Sequence, residues 1–183
     1  MDVTTTTQLI TAAATLGGVV LTLVTSSYLE RRRANDTREL ESLRLASEQV
    51  RWMRDERLKA YSALSTAGEE IHQFLRSELP TLLAPNGLAE RGNIEVRWRT
   101  LRTGLRKAYN QVVLFGTTDT RDAAMSVWRV ARNTGSDFLR DLDANADAPN
   151  AISLAEQLRS GASRLGTVGE RFLEACRKDF QGE

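Results

Sequence analysis

The chain of 183 residues is poor in the residues that build reactive or cross-linked sites. It contains one cysteine, Cys176, one histidine, His72, and three prolines. A single cysteine cannot form a disulfide within the chain, so a disulfide-bonded scaffold is excluded and a reducing compartment is allowed. The sequence also lacks a second histidine, a glycine-rich phosphate loop and a nucleophile elbow, so it contains no recognisable enzyme constellation.

The sequence also has almost no net charge and no alternation of apolar and polar residues typical of a strand. The 25 basic and 24 acidic residues leave a formal charge of +1, so no overall field favours nucleic acid and a basic partner site has to be local. No segment alternates between apolar and polar residues for long enough to indicate a sheet. We therefore predict an all-α protein with one helical domain and an N-terminal appendage.

The appendage begins with an uncharged segment. Leu9 to Leu29 carries no charge over 21 residues, and a helix of that length matches the roughly 30 Å hydrocarbon core of a bilayer. We interpret it as a retained transmembrane helix. A cleaved signal peptide and a buried soluble helix are the alternatives, although residues 1–8 have no basic n-region.

Three arginines follow the span directly. Arg31, Arg32 and Arg33 lie on one side of it, and only the terminal amine is basic on the other. The positive-inside rule then predicts an N-terminus outside and a C-terminal domain in the cytoplasm. The same arginines are also suited to contact anionic lipid headgroups.

Residues 30–50 are expected to form a charged helical stalk. No Gly or Pro occurs between Val19 and Ala67, so a long helix is expected, with one weak point at Asn35-Asp36-Thr37, where a fresh helix could be capped. Opposite charges alternate along one face (Arg38, Glu41, Arg44, Glu48, Arg51, Asp55). A thin apolar stripe beside them indicates at most weak coiled-coil pairing (Leu40, Leu43, Ala46, Val50, Met53).

Residues 51–183 show four amphipathic segments. Their apolar positions recur every three or four residues, with breaks at Leu79-Pro80, at Gly116 and in the loop 143–150. In the first three segments the residues predicted to face inward include Leu64, Leu105 and Phe138. The fourth segment ends near Cys176. Such stripes bury one another, so we predict an antiparallel four-helix bundle with Trp98, Trp128 and Cys176 in its core.

Three parts of the bundle share a resemblance. They are Trp52-x4-Arg57-x2-Ala60-Tyr61, the Val112-Val113-Leu114-Phe115-Gly116 helix end, and Phe172-Leu173-x-Ala175-x-Arg177-x-Asp179. Together they resemble uncharacterised membrane-anchored helical proteins of actinobacteria. Those relatives commonly open the third helix with Pro, whereas Thr118-Asp119-Thr120 stands here. The resemblance implies one span with a helical cytoplasmic domain and transfers no catalytic residue.

Two patterns point to metal binding, and neither is complete. Glu69 and His72 form the Glu-x-x-His pair of di-iron bundles, but such a site needs two pairs. Asp141, Asp143, Asn145 and Asp147 begin like a calcium loop, but Ala146 and Ile152 replace the required Gly and Glu. We therefore predict no metal site and no cofactor.

A basic flank on the second helix is the main candidate contact site. Arg99, Arg102, Arg106 and Lys107 could meet phosphates or the carboxylates of a partner. A solvated face is the alternative, because the sequence shows no aromatic platform interleaved with these residues.

From these features we predict a non-enzymatic, single-span membrane protein whose bundle acts as a protein-interaction or scaffold module. The alternatives are a bundle that binds anionic lipid, and an accessory subunit or cryptic enzyme of a membrane complex. Small residues one turn apart predict self-association of the span together with the stalk (Ala13, Ala14, Gly17, Gly18). No nucleic-acid partner is expected.

Overall fold

A computed structural model shows an all-helical chain. It describes the backbone of residues 3–84, 87–144 and 151–181, and side chains within these ranges from residue 40 onward, except at Leu88. The long helices are α1 (Val3–Ser77), α2 (Arg91–Phe115), α3 (Thr118–Ala144) and α4 (Ala151–Gln181). Two short 3-10 helices, Leu79–Leu83 and Gly87–Glu90, lie between α1 and α2. The chain divides into two compact units, Met1–Trp52 and Met53–Glu183.

Helix α1 is continuous over 75 residues. It passes through residues 35–37 without a break, because no Gly or Pro interrupts the backbone hydrogen bonds there. It ends at Ser77, three residues before Pro80, whose missing N–H cannot continue an α-helix. The predicted weak point at Asn35-Asp36-Thr37 is therefore not a helix boundary.

The proposed membrane span falls outside the side chains that the structure describes. Among the described residues, none of the helices is both long and apolar enough to cross a bilayer. The segment Leu9–Leu29, Arg31 to Arg33 and the small residues Ala13 to Gly18 all lie before residue 40. The single span therefore stays a prediction.

The second unit is a bundle whose neighbouring helices run in opposite directions. Arg57 of α1 contacts Phe115 at the end of α2. Phe74, later in α1, stacks on Trp98 near the start of α2. Helices α1 and α2 are therefore antiparallel. Tyr61 contacts Thr120 at the start of α3 and Asp179 near the end of α4. These contacts give the up-down-up-down order that the four apolar stripes predict.

The bundle core contains most residues of the predicted apolar stripes, together with others such as Phe74. The largest fully buried side chains include Phe74, Phe138 and Phe172, and Cys176 is also buried. Trp128, predicted to be a core residue, is only partly buried, while its neighbour Val127 is 3% exposed. The expectation for Trp128 was wrong by one position, because a turn of about 100° per residue moves the buried face of α3 onto Val127.

A close approach of three helices organises the middle of the bundle. The rings of Phe74 and Trp98 stack with centroids 5.9 Å apart and an angle of 11° between them. Gly135 of α3 lies over the same indole, and a Cβ placed there would be 2.5 Å from Trp98 ring atoms. The absence of a side chain at residue 135 therefore lets α3 pack directly on the indole ring.

Residues 40–52 of α1 are exposed in this single chain. Leu40, Leu43 and Val50 leave 68%, 62% and 64% of their surface accessible. One pair of the predicted charge ladder is formed, between Arg44 Nε and Glu48 Oε1 at 2.9 Å. This segment therefore presents the exposed apolar stripe that the sequence assigns to the stalk and one formed ion pair of the predicted ladder.

Candidate basic groove between α2 and α3

A groove of about 460 Å³ lies between the outer faces of α2 and α3. Helix α2 supplies Arg102 and Arg106, and α3 supplies Arg132. The sequence spacing explains the α2 side, because residues four apart lie one above the other on a helix. The remaining lining residues are polar or aromatic (Thr103, Tyr109, Asn110, Trp128).

The described residues do not neutralise the charges in this groove. No acidic residue lines it within the part of the chain that the structure describes. In that same part, neither Arg102 nor Arg106 forms an ion pair, and the Arg132 guanidinium donates only to the neighbouring Asn133 Oδ1, at 3.1 and 3.2 Å. Three cationic groups that converge without counter-charges form a local positive potential that attracts an anion.

The floor of the groove is aromatic. The Tyr109 and Trp128 rings stack with centroids 6.3 Å apart and an angle of 12° between them. Both side chains are partly buried, and the Tyr109 hydroxyl contacts Met125 Sδ at 3.6 Å. The groove thus combines guanidinium groups with a flat apolar surface.

The sequence predicted the basic residues of the groove but not its aromatic pair. Arg102, Arg106 and Tyr109 follow the i, i+4, i+7 spacing of one helix face, so the tyrosine was recognisable on that face. Trp128 was not, because it belongs to another helix and was assigned to the core. The other two members of the predicted flank, Arg99 and Lys107, are exposed and do not line the groove.

A second polar cluster lies at the end of the bundle where the three resembling segments meet. The Tyr61 hydroxyl donates to Asp179 Oδ2 at 2.6 Å and lies 3.2 Å from Thr120 Oγ1. Arg57 Nε donates to the Phe115 carbonyl at 3.1 Å, and its Nη1 lies 3.8 Å from Asp179 Oδ1. The cluster ties α1 to the ends of α2 and α4 and to the start of α3.

Burial sets the acid–base behaviour of this cluster. Burial, with the hydrogen bond to Asp179, raises the pKa of Tyr61 to about 12. Burial, with the nearby Asp179 charge, raises the pKa of the Cys176 thiol to about 12 as well. Every buried side-chain N or O atom of the described residues has a hydrogen-bond partner. Protonated and fully bonded groups indicate a structural role for this cluster.

Within the described residues, neither metal-like pattern has a complete set of ligands. His72 Nδ1 lies 3.6 Å from Glu69 Oε1, and no third ligand joins them, since the described residues contain no group of three metal-ligating side chains. Asp143 pairs with Arg91, and Asp141 accepts a hydrogen bond from Gln157 Nε2 at 3.0 Å. Asn145 and Asp147 of the acidic loop lie outside the described residues.

Comparison with known proteins adds no assignment: no family model, curated protein or solved structure matches this chain. The resemblance to actinobacterial membrane-anchored proteins therefore stays a prediction.

Proposed function

We propose that this protein is a non-catalytic, membrane-anchored interaction module whose α2–α3 groove binds an acidic segment of a partner protein. The uncharged segment Leu9–Leu29 supports the anchor, and the arginines at residues 31–33 support a cytoplasmic bundle. The single observation that carries the binding function is the convergence of Arg102, Arg106 and Arg132, without acidic neighbours, on an aromatic floor.

The residue types favour a protein partner. Arg, Trp and Tyr are the residues most enriched among those that dominate binding energy at protein interfaces. Guanidinium groups bind carboxylates in a bidentate manner, and the Tyr109–Trp128 surface offers contact to an apolar side chain between two acidic ones. A segment that alternates acidic and apolar residues therefore matches both halves of the groove.

Binding can be measured on the full-length protein in a mild non-ionic detergent. The probe is a fluorescein-labelled synthetic peptide that alternates Glu and Phe, and fluorescence anisotropy reports its binding. We expect the triple variant Arg102→Gln, Arg106→Gln and Arg132→Gln to weaken binding at least about tenfold, because each charge-assisted hydrogen bond contributes a net 1.5–3 kcal/mol or so.

The control variant removes the same number of positive charges outside the groove. Arg76, Arg159 and Arg171 are exposed on α1 and α4 and do not line it, so their replacement by Gln changes net charge equally. We expect this variant to bind the peptide within about twofold of wild type, in keeping with the small effect of remote surface charges. Equal losses in both variants would show that net charge, and not the groove, binds the peptide.

Anionic lipid is the competing source of negative charge. Flotation with phosphatidylglycerol vesicles measures lipid binding by the groove variant and by the control variant. The proposal requires the groove variant to lose peptide binding more strongly than vesicle binding. Loss of vesicle binding alone would contradict the proposal and favour a lipid-binding bundle.

Self-association through the anchor and stalk is a further part of this proposal. It is supported by the exposed stripe of Leu40, Leu43 and Val50 and by the small residues at 13, 14, 17 and 18. Two weak contacts in one membrane plane reinforce each other, because the first raises the effective concentration for the second.

A further inference from the structure

A second cavity lies between α1 and α4, and Val127 of α3 also lines it. Its volume is about 260 Å³. The apolar wall is formed by Leu64, Val127, Leu165 and Phe172, of which Leu64 and Phe172 are almost completely buried. It shares no lining residue with the α2–α3 groove.

Three glycines keep this cavity open. Gly68, Gly166 and Gly169 line it, each inside a helix, where glycine costs about 0.5–1 kcal/mol relative to alanine. A Cβ at Gly169 would meet no atom within 4 Å, and one at Gly166 would meet only His72 Nε2, at 3.9 Å. Close helix packing therefore does not demand glycine at these two positions, in contrast to Gly135.

The rim of the cavity is acidic. Glu69 of α1 and Glu170 of α4 line its two sides, together with His72, and no Lys or Arg lines it in the described part of the chain. Glu69 has a contact with His72 at 3.6 Å, but its side chain is 77% exposed, so this pair leaves the carboxylate accessible. The rim attracts a positive charge, and the wall beneath it is apolar.

We propose that this cavity binds a small organic cation with an apolar body, such as an aryl or alkyl ammonium compound. A cavity of about 150 Å³ lined by apolar side chains is large enough for benzene, so 260 Å³ admits a ring together with an ammonium group. The apolar body lies against Leu64, Leu165 and Phe172, and the ammonium group lies between Glu69 and Glu170. This site is independent of the function proposed for the α2–α3 groove.

Equilibrium dialysis of the full-length protein against benzyltrimethylammonium tests the site, with a detergent-only chamber to correct for micelle partitioning. Gly169→Leu fills the cavity, and we expect it to raise the dissociation constant at least about tenfold through lost apolar contact. Gly104→Leu is the matched control, because Gly104 is also an open helical position but lies on α2 away from the cavity. We expect it to bind as wild type does.

The acidic rim has its own pair of variants. The double variant Glu69→Gln and Glu170→Gln is expected to weaken binding about threefold to tenfold, as two partly exposed ion pairs would. Glu70→Gln with Glu156→Gln removes equal charge from exposed positions that do not line the cavity and is expected to change nothing. Neopentylbenzene, the neutral analogue of the same shape, has no charge to meet the rim, so we expect the double variant to bind it as wild type does.

Three results would overturn the proposal: no binding of the cation by wild type, equal binding by the Gly169→Leu and Gly104→Leu variants, or a double rim variant whose preference between the cation and the neutral analogue equals that of wild type. Circular dichroism checks that each variant is folded. If Gly169→Leu does not fold, the rim variants and the neutral analogue decide the outcome.

Discussion

At the scale of single residues, Tyr61 connects three helices through its hydroxyl group. Its hydroxyl contacts Asp179 of α4 and Thr120 of α3, and its ring packs edge-on against Phe172 at 5.9 Å. The Asp179 carboxylate is 5% exposed and depends on Tyr61 and Arg57 for its partners. Losing one partner of a buried carboxylate leaves its desolvation uncompensated.

The Tyr61→Phe variant is therefore expected to lower the free energy of unfolding by about 1–3 kcal/mol at neutral pH. Urea denaturation followed by circular dichroism measures it. Tyr109→Phe is the matched control, because the Tyr109 hydroxyl contacts only Met125 Sδ among the described residues. It is expected to change stability by less than about 0.5 kcal/mol. Equal effects would show that the Tyr61 hydrogen bonds contribute nothing specific.

The Tyr61→Phe variant is also expected to change how stability depends on pH in the alkaline range. The pKa of Tyr61 rises from 10.0 unfolded to about 12 folded, and that of Cys176 from 9.0 to about 12. The unfolded state therefore loses these protons first, so stability is full below pH 9 and falls as the pH rises towards 12. In Tyr61→Phe only the Cys176 contribution is left, and the fall above pH 10 is expected to be shallower than in wild type.

At the scale of helical elements, two glycines of similar sequence context have opposite roles. Gly104 and Gly135 both lie inside long helices, but a Cβ at Gly104 meets no atom within 4 Å, whereas one at Gly135 lies 2.5 Å from Trp98. Helix α2 therefore does not use glycine for packing at residue 104, and α3 requires it at residue 135.

We expect Gly104→Ala to raise the melting temperature, with a gain of up to about 1 kcal/mol from helix propensity. Gly135→Ala is expected to lower stability by about 1–3 kcal/mol, because the indole of Trp98 has to move. Calorimetry on the two variants checks both signs. A stabilising Gly135→Ala would mean that α3 does not approach Trp98 as described.

At the scale of the whole molecule, the exposed apolar stripe of the stalk is a surface suited to pairing. Leu40, Leu43 and Val50 are exposed in the described part of the chain, and Arg44 and Glu48 form an ion pair beside them. Parallel pairing with a second copy, as proposed above, would cover that stripe.

We expect Leu43→Glu to shift full-length protein in detergent towards the monomer, as measured by light scattering, because it places a charge in the paired stripe. Leu45→Glu is the control: Leu45 has similar exposure, 66% against 62%, but two residues away on a helix it lies on the other side. An identical distribution of species in both variants would contradict stalk pairing, as would a wild-type protein that is entirely monomeric.

Much of the helical architecture follows from local sequence. Helix α1 stops before Pro80, because proline has no N–H with which to continue an α-helix, and α2 ends at Phe115, directly before Gly116, where the sequence predicts a helix end. The apolar spacing of three and four likewise predicted Leu64, Leu105 and Phe138 as core residues, since a helix buries the face that its periodicity makes apolar.

The binding surfaces depended on how the helices pack. Arg102 and Arg106 were recognisable on one face of α2, but only the packing of α3 brings Arg132 and Trp128 beside them. The cavity beside Gly166 and Gly169 likewise follows from the packing of α1 against α4 and not from the spacing of residues along α4. Periodicity along one helix fixes which residues share a face, whereas the rotation and spacing of neighbouring helices are set by side-chain packing across the interface, and these decide which faces meet.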